Sequence, residues 1–290
     1  MKRKRWLSKT NRRPALALCI SATLALAGCS TLGNLASTEK DDALYANSQP
    51  NLASLTEVIQ KHPDDPQAYN MRGSVLAESG KTEAALADFN KAISLDPHYA
   101  QAYANRALLY RQANKPELAL ADYNKALSID ASYAPAYLGR GTIYRQQNRA
   151  VQALADFNKA IALQPNNAQA YDDRGLLYQS QGQHQFAIDD FTTAIGLAPQ
   201  HAESYVARAL SYLAGGNNKA AATDLDQAVQ LDPNDPKAWA SRGLAYERLG
   251  QNEKAAGSYA KALNLNDKYA PAVAGFARVG GQPGKAYQTF

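Results

Sequence analysis

Residues 102–107 read Ala-Tyr-Ala-Asn-Arg-Ala, and versions of this phrase occur six times in the chain at intervals of 34 residues. The aromatic residue of the phrase stands at Tyr69, Tyr103, Tyr137, Tyr171, Tyr205 and Trp239, without insertion or deletion between copies. A constant period of this length predicts a repeat protein in which each copy packs only on its neighbours. Such a solenoid presents a long surface, which favours binding over catalysis.

Each copy contains the pattern of two helices joined by a tight turn. Tyr103, Ala107 and Tyr110 follow helical spacing, and a second helical set begins at Ala119. Between the two sets, one position is always occupied by glycine or asparagine: Gly80, Asn114, Asn148, Gly182, Gly216 and Gly250. These residues tolerate a left-handed backbone, so we predict a helix end and a turn there. Most second helices run into a proline, at Pro97, Pro165, Pro199 and Pro233.

The series of aromatic, small and proline residues at this spacing resembles the tetratricopeptide repeat (TPR) family. The resemblance implies an all-α fold, an α-solenoid of helix-turn-helix repeats in a right-handed superhelix. Six repeats occupy residues 67–270 and start near residues 67, 101, 135, 169, 203 and 237. Residues 51–66 are in phase with a second helix and predict a half repeat that caps the amino end. Residues 271–290 predict a short cap to residue 279 and a flexible tail from residue 280.

The amino-terminal segment predicts an export signal. Residues 1–13 hold seven basic residues and no acidic one, and an apolar stretch too short to span a bilayer follows from Ala15 to Ala27. The stretch ends in Leu26-Ala27-Gly28-Cys29-Ser30, which resembles the lipobox of bacterial lipoproteins. We therefore expect residues 1–28 to be a signal peptide, Cys29 to be lipidated and residues 29–50 to be a flexible tether. The alternatives are an uncleaved signal anchor, or a secretory signal in which Cys29 is coincidental.

The charge balance changes when this segment is set aside. The whole chain carries 31 basic and 26 acidic residues, whereas removal of residues 1–28 takes away seven basic and no acidic residues, which leaves a net charge of −2. The basic balance therefore belongs to the signal, and we expect no nucleic-acid partner. The location expected is the bacterial envelope facing the periplasm, with Ser30 after the cysteine favouring the outer membrane.

No residue pattern predicts a reaction centre. The four histidines are not arranged at metal-ligand spacing, and the chain lacks a nucleophile elbow, a phosphate-binding glycine loop and a dinucleotide fingerprint. The polar residues that recur do so with the repeat period, as structure requires. We expect no enzyme activity, no cofactor, no metal and no small-molecule substrate. The many tyrosines favour core packing over a stacking platform.

Two charged series follow the repeat. Arginines stand at Arg72, Arg106, Arg140, Arg174, Arg208 and Arg242, where the commonest TPR pattern has leucine, and aspartates stand at Asp88, Asp122, Asp156, Asp190 and Asp224. Burying unpaired charges is costly, so we predict a structural ladder of Arg–Asp pairs within or between repeats. The alternative is that the arginines bind carboxylates of a partner.

The resemblance implies a peptide-binding groove along the inward face of the first helices. The residues expected there are Leu108, Leu138, Thr142, Asp172, Asp173, Leu176, Val206, Leu210 and Leu244. This set suits an apolar segment, with the two aspartates as an acidic mark for a basic flank. The alternative is that several of these leucines pack between repeats. The lysine and asparagine clamp of chaperone-binding TPR proteins is absent.

These features together predict a non-enzymatic scaffold for protein–protein interaction, anchored by lipid in the periplasm. The chain resembles NlpI-type TPR lipoproteins, which implies support of envelope integrity or regulation of envelope enzymes. The alternative is a TPR lipoprotein that assists assembly of a pilus, a secretion channel or outer-membrane proteins. An enzyme is a different class that the periodicity disfavours, and a cytosolic co-chaperone requires that the lipobox is false.

Overall fold

The computed structural model describes residues 52–287, which form fourteen helices and contain no strand. Residues 1–51 and 288–290 lie outside the described part, and with them the predicted signal peptide, the lipidation site Cys29 and the tether. The helices are α1 Leu52–Lys61, α2 Pro66–Glu78, α3 Thr82–Leu95, α4 Ala100–Gln112, α5 Pro116–Ile129, α6 Ala134–Gln146, α7 Ala150–Leu163, α8 Ala168–Ser180, α9 His184–Leu197, α10 Ala202–Ala214, α11 Asn218–Leu231, α12 Pro236–Arg248, α13 Asn252–Leu265 and α14 Ala270–Arg278. No helix of residues 52–287 has the length and apolar character to cross a bilayer.

Helices α2 to α13 form six consecutive pairs. Each first helix packs on the second helix of its own repeat, and that second helix packs on the first helix of the next repeat. Successive first helices also contact one another, so they form a continuous row along one side of the stack. The all-α solenoid predicted from the period is confirmed.

The turns inside the repeats adopt the predicted left-handed backbone. Asn114 and Asn148 have φ values of 54° and 58°, and the glycines at the equivalent positions have φ between 71° and 76°. The residue after the turn donates its backbone N–H to the last turn of the first helix, as Lys115 does to Tyr110 O at 2.8 Å. This bond satisfies a helix-end carbonyl that otherwise has no partner.

The core alternates small and large residues. Alanines at both helix–helix crossings are completely buried, Ala119 and Ala126 among them, and a large residue of each second helix lies between them. Glycines on the first helices make room for these rings, because a Cβ at Gly141 would lie 2.8 Å from Phe157 Cε1. The close packing explains why the sequence varies so little at these positions.

The two ends of the stack are covered differently. At the amino end, α1 buries Leu55 and Ile59 against the first repeat. At the carboxyl end, α14 buries Ala272 and Gly275. Residues 280–287, expected to be a flexible tail, return to the cap, since Tyr287 contacts Phe276 edge-on with ring centroids 5.8 Å apart.

Candidate partner-binding groove

The arginine and aspartate series form five equivalent ion pairs within single repeats. In each pair Nε and Nη2 of the arginine donate to the two carboxylate oxygens of the aspartate sixteen residues later, at 2.7–2.8 Å. The pairs are Arg72–Asp88, Arg106–Asp122, Arg140–Asp156, Arg174–Asp190 and Arg208–Asp224. The hydrogen bonds to aspartate raise the pKa of these arginines further, so the pairs remain charged.

The remaining donor of most of these arginines reaches the preceding repeat. Nη1 of Arg140 donates to Asn124 Oδ1 at 2.7 Å, and Arg106 and Arg174 make the equivalent bond to asparagine. The guanidinium of Arg140 also lies 5.6 Å from the ring centroid of Tyr137. These arginines are occupied on several sides, which leaves little of them to bind a partner.

The sixth repeat has a different pairing. Serine replaces aspartate at Ser258, and Arg242 donates Nε to Asp226 Oδ1 of the preceding repeat at 2.6 Å. Nη1 of Arg242 donates to Ser258 Oγ at 2.9 Å. Arg242 is only 3% exposed, the least exposed arginine of the series. The aspartate that completes this pair stands where the first four repeats have asparagine or threonine.

Four of the residues expected in the groove, Leu108, Leu138, Thr142 and Asp173, lie together around a cavity of about 430 Å³. Leu108 of α4 is 37% exposed, and Leu138 and Thr142 of α6 face the same space. Leu138 also packs on the cluster around Phe157. We refer to this space, between the first helices α4, α6 and α8, as the groove cavity.

The other apolar residues of the expected groove are less available. Leu176 is partly buried, and Leu210 and Leu244 are partly buried against the core of the last repeats. Val206 is 3% exposed and belongs to that core, so it does not present a surface to a partner. The alternative of packing between repeats therefore holds for Val206, while Leu108 keeps an open face.

The two aspartates expected as an acidic mark are buried at 5% exposure each and have partners within the chain. Asp173 forms an ion pair with Arg145 at 3.2 Å and accepts hydrogen bonds from Thr142 and Gln169. Asp172 Oδ2 accepts from Ser204 at 2.7 Å and lies 3.2 Å from His201 Nδ1. Burial raises the pKa of Asp172. Both carboxylates therefore make contacts within the chain and are not the exposed acidic mark expected from the sequence. Asp172 Oδ1 is the one of their oxygens that is buried without a hydrogen-bond partner.

Sequence reasoning missed the polar residues that line the groove cavity. Arg111 and Tyr123 line it, and neither is assigned to the groove from the sequence. Tyr123 follows the packing series of Phe89 and Phe157 and was therefore expected only in the core. A second cavity of about 610 Å³ lies beside Asp172 and His201, between two inter-repeat turns. Within residues 52–287, no cluster of three histidine, cysteine, aspartate or glutamate residues is placed to hold a metal ion.

Family models match most of the repeat region. Models described as "Tetratricopeptide repeat" match residues 141–211, 100–133 and 236–269. A model described as "TPR repeat" matches residues 73–113 and 209–250. No curated protein matches the sequence.

Solved structures share the fold at low sequence identity. A chain of the APC/C hetero-tetramer Cut9–Hcn1 has a TM-score of 0.71 at 18% identity, over 81% of this chain and 46% of that chain. This chain thus spans less than half the length of that protein. PilF of Pseudomonas aeruginosa has a TM-score of 0.68 at 20% identity, over 73% of this chain and 97% of its own. PilW, described as a widely conserved type IV pilus biogenesis factor, has a TM-score of 0.65 at 20% identity, over 72% and 96%.

Proposed function

Because this chain belongs to the tetratricopeptide repeat family, we propose that it is a non-enzymatic adaptor that captures extended segments of partner proteins along its first helices. The observation that carries the proposal is the groove cavity, an open space between three successive first helices that is bordered by apolar side chains of α4 and α6. The fold is one of protein-interaction scaffolds, and its repeating polar groups are engaged in packing. The finer assignment to an envelope adaptor rests on the amino-terminal sequence.

The cavity supports capture of an apolar side chain. Leu108 and Leu138 border the cavity from neighbouring first helices, and burying one partner leucine or phenylalanine beside them removes apolar surface from water. An extended segment that follows the row of first helices meets Leu176 next. The same row offers several weak contacts in sequence, which is how a solenoid gains affinity without a deep pocket.

A double substitution tests this proposal. Leu138→Asp with Leu176→Asp places two charges on the groove face and is expected to abolish partner binding while helicity is retained. The matched control is Leu118→Asp with Val151→Asp on second helices, since these side chains are 49% and 83% exposed and lie outside the groove. Partners are identified by crosslinking in cells from a photoreactive residue at position 108. Undiminished crosslinking in the groove variant contradicts the proposal.

We propose a lipid anchor at Cys29 that holds the adaptor at the envelope, facing the periplasm and in the outer membrane. The support is the basic region, the apolar core and the lipobox-like Leu26–Ser30. A chain with one cysteine lipidated by several acyl groups stays bound, whereas a single acyl chain binds only marginally. Cys29→Ala is therefore expected to move the protein from the membrane fraction to the soluble fraction. Unchanged membrane association defeats the anchor.

The role of such an adaptor is either to support envelope integrity and envelope enzymes or to assist assembly of a pilus, secretion channel or outer-membrane protein. The second role has one point in its favour, since PilF and PilW resemble this chain over nearly their whole lengths. That likeness concerns the fold. Deletion of the gene separates the two, because sensitivity to detergent supports the first role and loss of a surface fibre or secreted protein supports the second.

A further inference from the structure

Repeats three and four are joined on the groove face by an Arg–Asp contact that is not one of the five ladder pairs. Arg145 of α6 donates Nη2 to Asp173 Oδ1 of α8 at 3.2 Å. Asp173 Oδ2 also accepts from Thr142 and Gln169. The carboxylate of one repeat thus neutralises the arginine of the repeat before it.

One repeat earlier, the arginine of this contact is present and the carboxylate is absent. Arg111 is equivalent to Arg145, but Gly139 stands at the position equivalent to Asp173. Leu108 and Pro135 replace Thr142 and Gln169, so the polar groups that held the aspartate are replaced by apolar ones. Within residues 52–287, Arg111 has no carboxylate within 4.0 Å and no side-chain hydrogen bond, and its Nε is buried.

Tyr123 supplies a second donor at the same place. It occupies the position of Phe157 in the next repeat, and a Cβ added to Gly139 would overlap Tyr123 Cζ and Oη. The hydroxyl end of Tyr123 therefore fills the space that a side chain at position 139 needs. Burial raises the pKa of Tyr123 to about 12, so the hydroxyl keeps its proton at neutral pH. It has no hydrogen-bond partner in the described part of the chain.

Arg111 and Tyr123 both line the groove cavity. We propose that this cavity binds the side-chain carboxylate of an aspartate or glutamate in an extended partner segment, through Arg111 and the Tyr123 hydroxyl. The partner's carboxylate would pair with Arg111 as Asp173 pairs with Arg145. The inference rests on the proposed adaptor function and names the chemistry that its groove recognises.

The surroundings define the rest of the ligand. Leu108, Leu138 and Pro135 border the cavity beside the two donors, so an apolar residue next to the acidic one completes the fit. The cavity is lined by α4, α6 and α8 in succession, and a segment that follows this row continues on both sides of Arg111. We therefore assign the carboxylate to a side chain within the segment. A guanidinium and a hydroxyl together form charge-assisted bonds to a carboxylate.

The first test is selection of peptides by the full chain. A phage library of random twelve-residue peptides is selected on the immobilised chain and, in parallel, on the Arg111→Gln variant. The expected result is enrichment of aspartate or glutamate beside leucine, isoleucine or phenylalanine on the unmodified chain, and loss of the acidic preference on the variant. Groove binders without an acidic preference overturn the inference, although they leave the adaptor proposal standing.

The second test measures coupling. For the best selected peptide, amidated at its carboxyl end, replacement of its acidic residue by the amide is expected to weaken binding about tenfold, and Arg111→Gln is expected to do the same. The two changes together are expected to cost little more than either alone, because they remove the same contact. Additive losses show that Arg111 does not contact the peptide's carboxylate and overturn the inference.

The third test uses the next repeat as its template. Tyr123→Phe with Gly139→Asp rebuilds the Phe157 and Asp173 arrangement and offers Arg111 an internal carboxylate. Binding of the acidic peptide is expected to fall at least tenfold, while the amide version of the peptide binds as before. A failure of the adaptor proposal gives a different result: the double variant Leu138→Asp with Leu176→Asp then binds the selected peptides as well as the unmodified chain does. Unchanged thermal unfolding of Arg111→Gln serves as the folding control, since Arg111 has no internal bond to lose.

Discussion

The guanidinium of Arg140 donates two parallel hydrogen bonds of 2.8 Å to the carboxylate of Asp156 in the same repeat. The aspartate side chain is only 7% exposed, so the arginine replaces most of its water. Charged groups in this situation are tolerated because each satisfies the other. The same geometry recurs in the first five repeats and explains why an arginine stands where the commonest pattern of the family has leucine.

Removing Arg140 is expected to destabilise the protein without touching the partner. Arg140→Met leaves Asp156 buried without its charge partner, and we expect the free energy of unfolding to fall by about 3 kcal/mol. Denaturant unfolding measures the loss of stability, and the affinity for groove peptides shows whether partner binding is retained. Lys125→Met, at an exposed position of α5, is the control. An unfolding curve that does not move, together with lost binding, contradicts the structural role.

Asp226 is expected to be the aspartate on which the last repeat depends. Asp226→Asn removes the carboxylate that faces Arg242, and it also weakens the bond from the Tyr246 hydroxyl. Because Arg242 is so deeply buried, we expect a loss of about 2–4 kcal/mol in the free energy of unfolding. Asp189→Asn, exposed on α9, is expected to change it by less than about 0.5 kcal/mol. Equal stabilities of the two variants refute the pairing described for the sixth repeat.

The turn at Asn114 offers a test of backbone strain. Asn114→Ala forces a residue with a Cβ into a left-handed backbone and is expected to cost about 1 kcal/mol. Asn114→Gly removes that strain, so the two variants should differ by about 1 kcal/mol in denaturant unfolding, with glycine the more stable. If alanine and glycine are equally stable at this position, the left-handed turn is not maintained in solution.

The carboxyl-terminal cap is expected to weaken in acid. Glu247 of α12 accepts two hydrogen bonds from Arg278 of α14 and one from Tyr259, and the bonds to Arg278 hold the pKa of Glu247 below its usual 4.5. A lowered pKa in the folded state stabilises it above the unfolded pKa and loses that effect as pH falls through the folded value. The protection factors of the α14 amides, which correct for the intrinsic slowing of exchange in acid, should therefore fall below about pH 4.5. In Glu247→Gln, exchange should already be raised at pH 7, with a smaller acid response.

The contribution of Asp172 to stability is expected to change with pH in the opposite direction. Burial raises its pKa, so the folded state binds a proton more tightly than the unfolded state, and this group's contribution to stability falls as pH rises through the folded value. Asp172→Asn keeps an acceptor for Ser204 and removes the buried charge. We expect a gain on the order of 1 kcal/mol at pH 7 in denaturant unfolding. A loss of similar size shows that the contact of Asp172 with His201 outweighs the cost of burial.

The periodic features of the fold were accessible from the sequence because each depends on contacts that recur every 34 residues. The glycine and asparagine turns are confirmed at Asn114 and Asn148. The TPR assignment is confirmed over most of residues 73–269. The period did not reveal which aspartate pairs with each arginine, because a pair within one repeat and a pair between neighbouring repeats both recur every 34 residues.

The non-periodic features were harder to predict because they depend on contacts between repeats. Asp172 and Asp173 looked like an acidic surface, but side chains 28 to 32 residues away enclose them, Arg145 and Ser204 among them. The signal that was available is Gly139, which interrupts a series of larger residues at Asn105 and Asp173. Because a glycine supplies no carboxylate at this position, Arg111 is left without an ion pair. Only the packed structure shows this.

The Arg–Asp pairs also determine how the protein attracts a partner from a distance. Opposite charges less than 3 Å apart cancel over the distances at which two molecules first approach, so the ten charges of the five pairs contribute little to that field. The salt dependence of the association rate therefore reports the charged residues outside the pairs. For an arriving partner, the row of Arg–Asp pairs thus behaves as a nearly neutral surface.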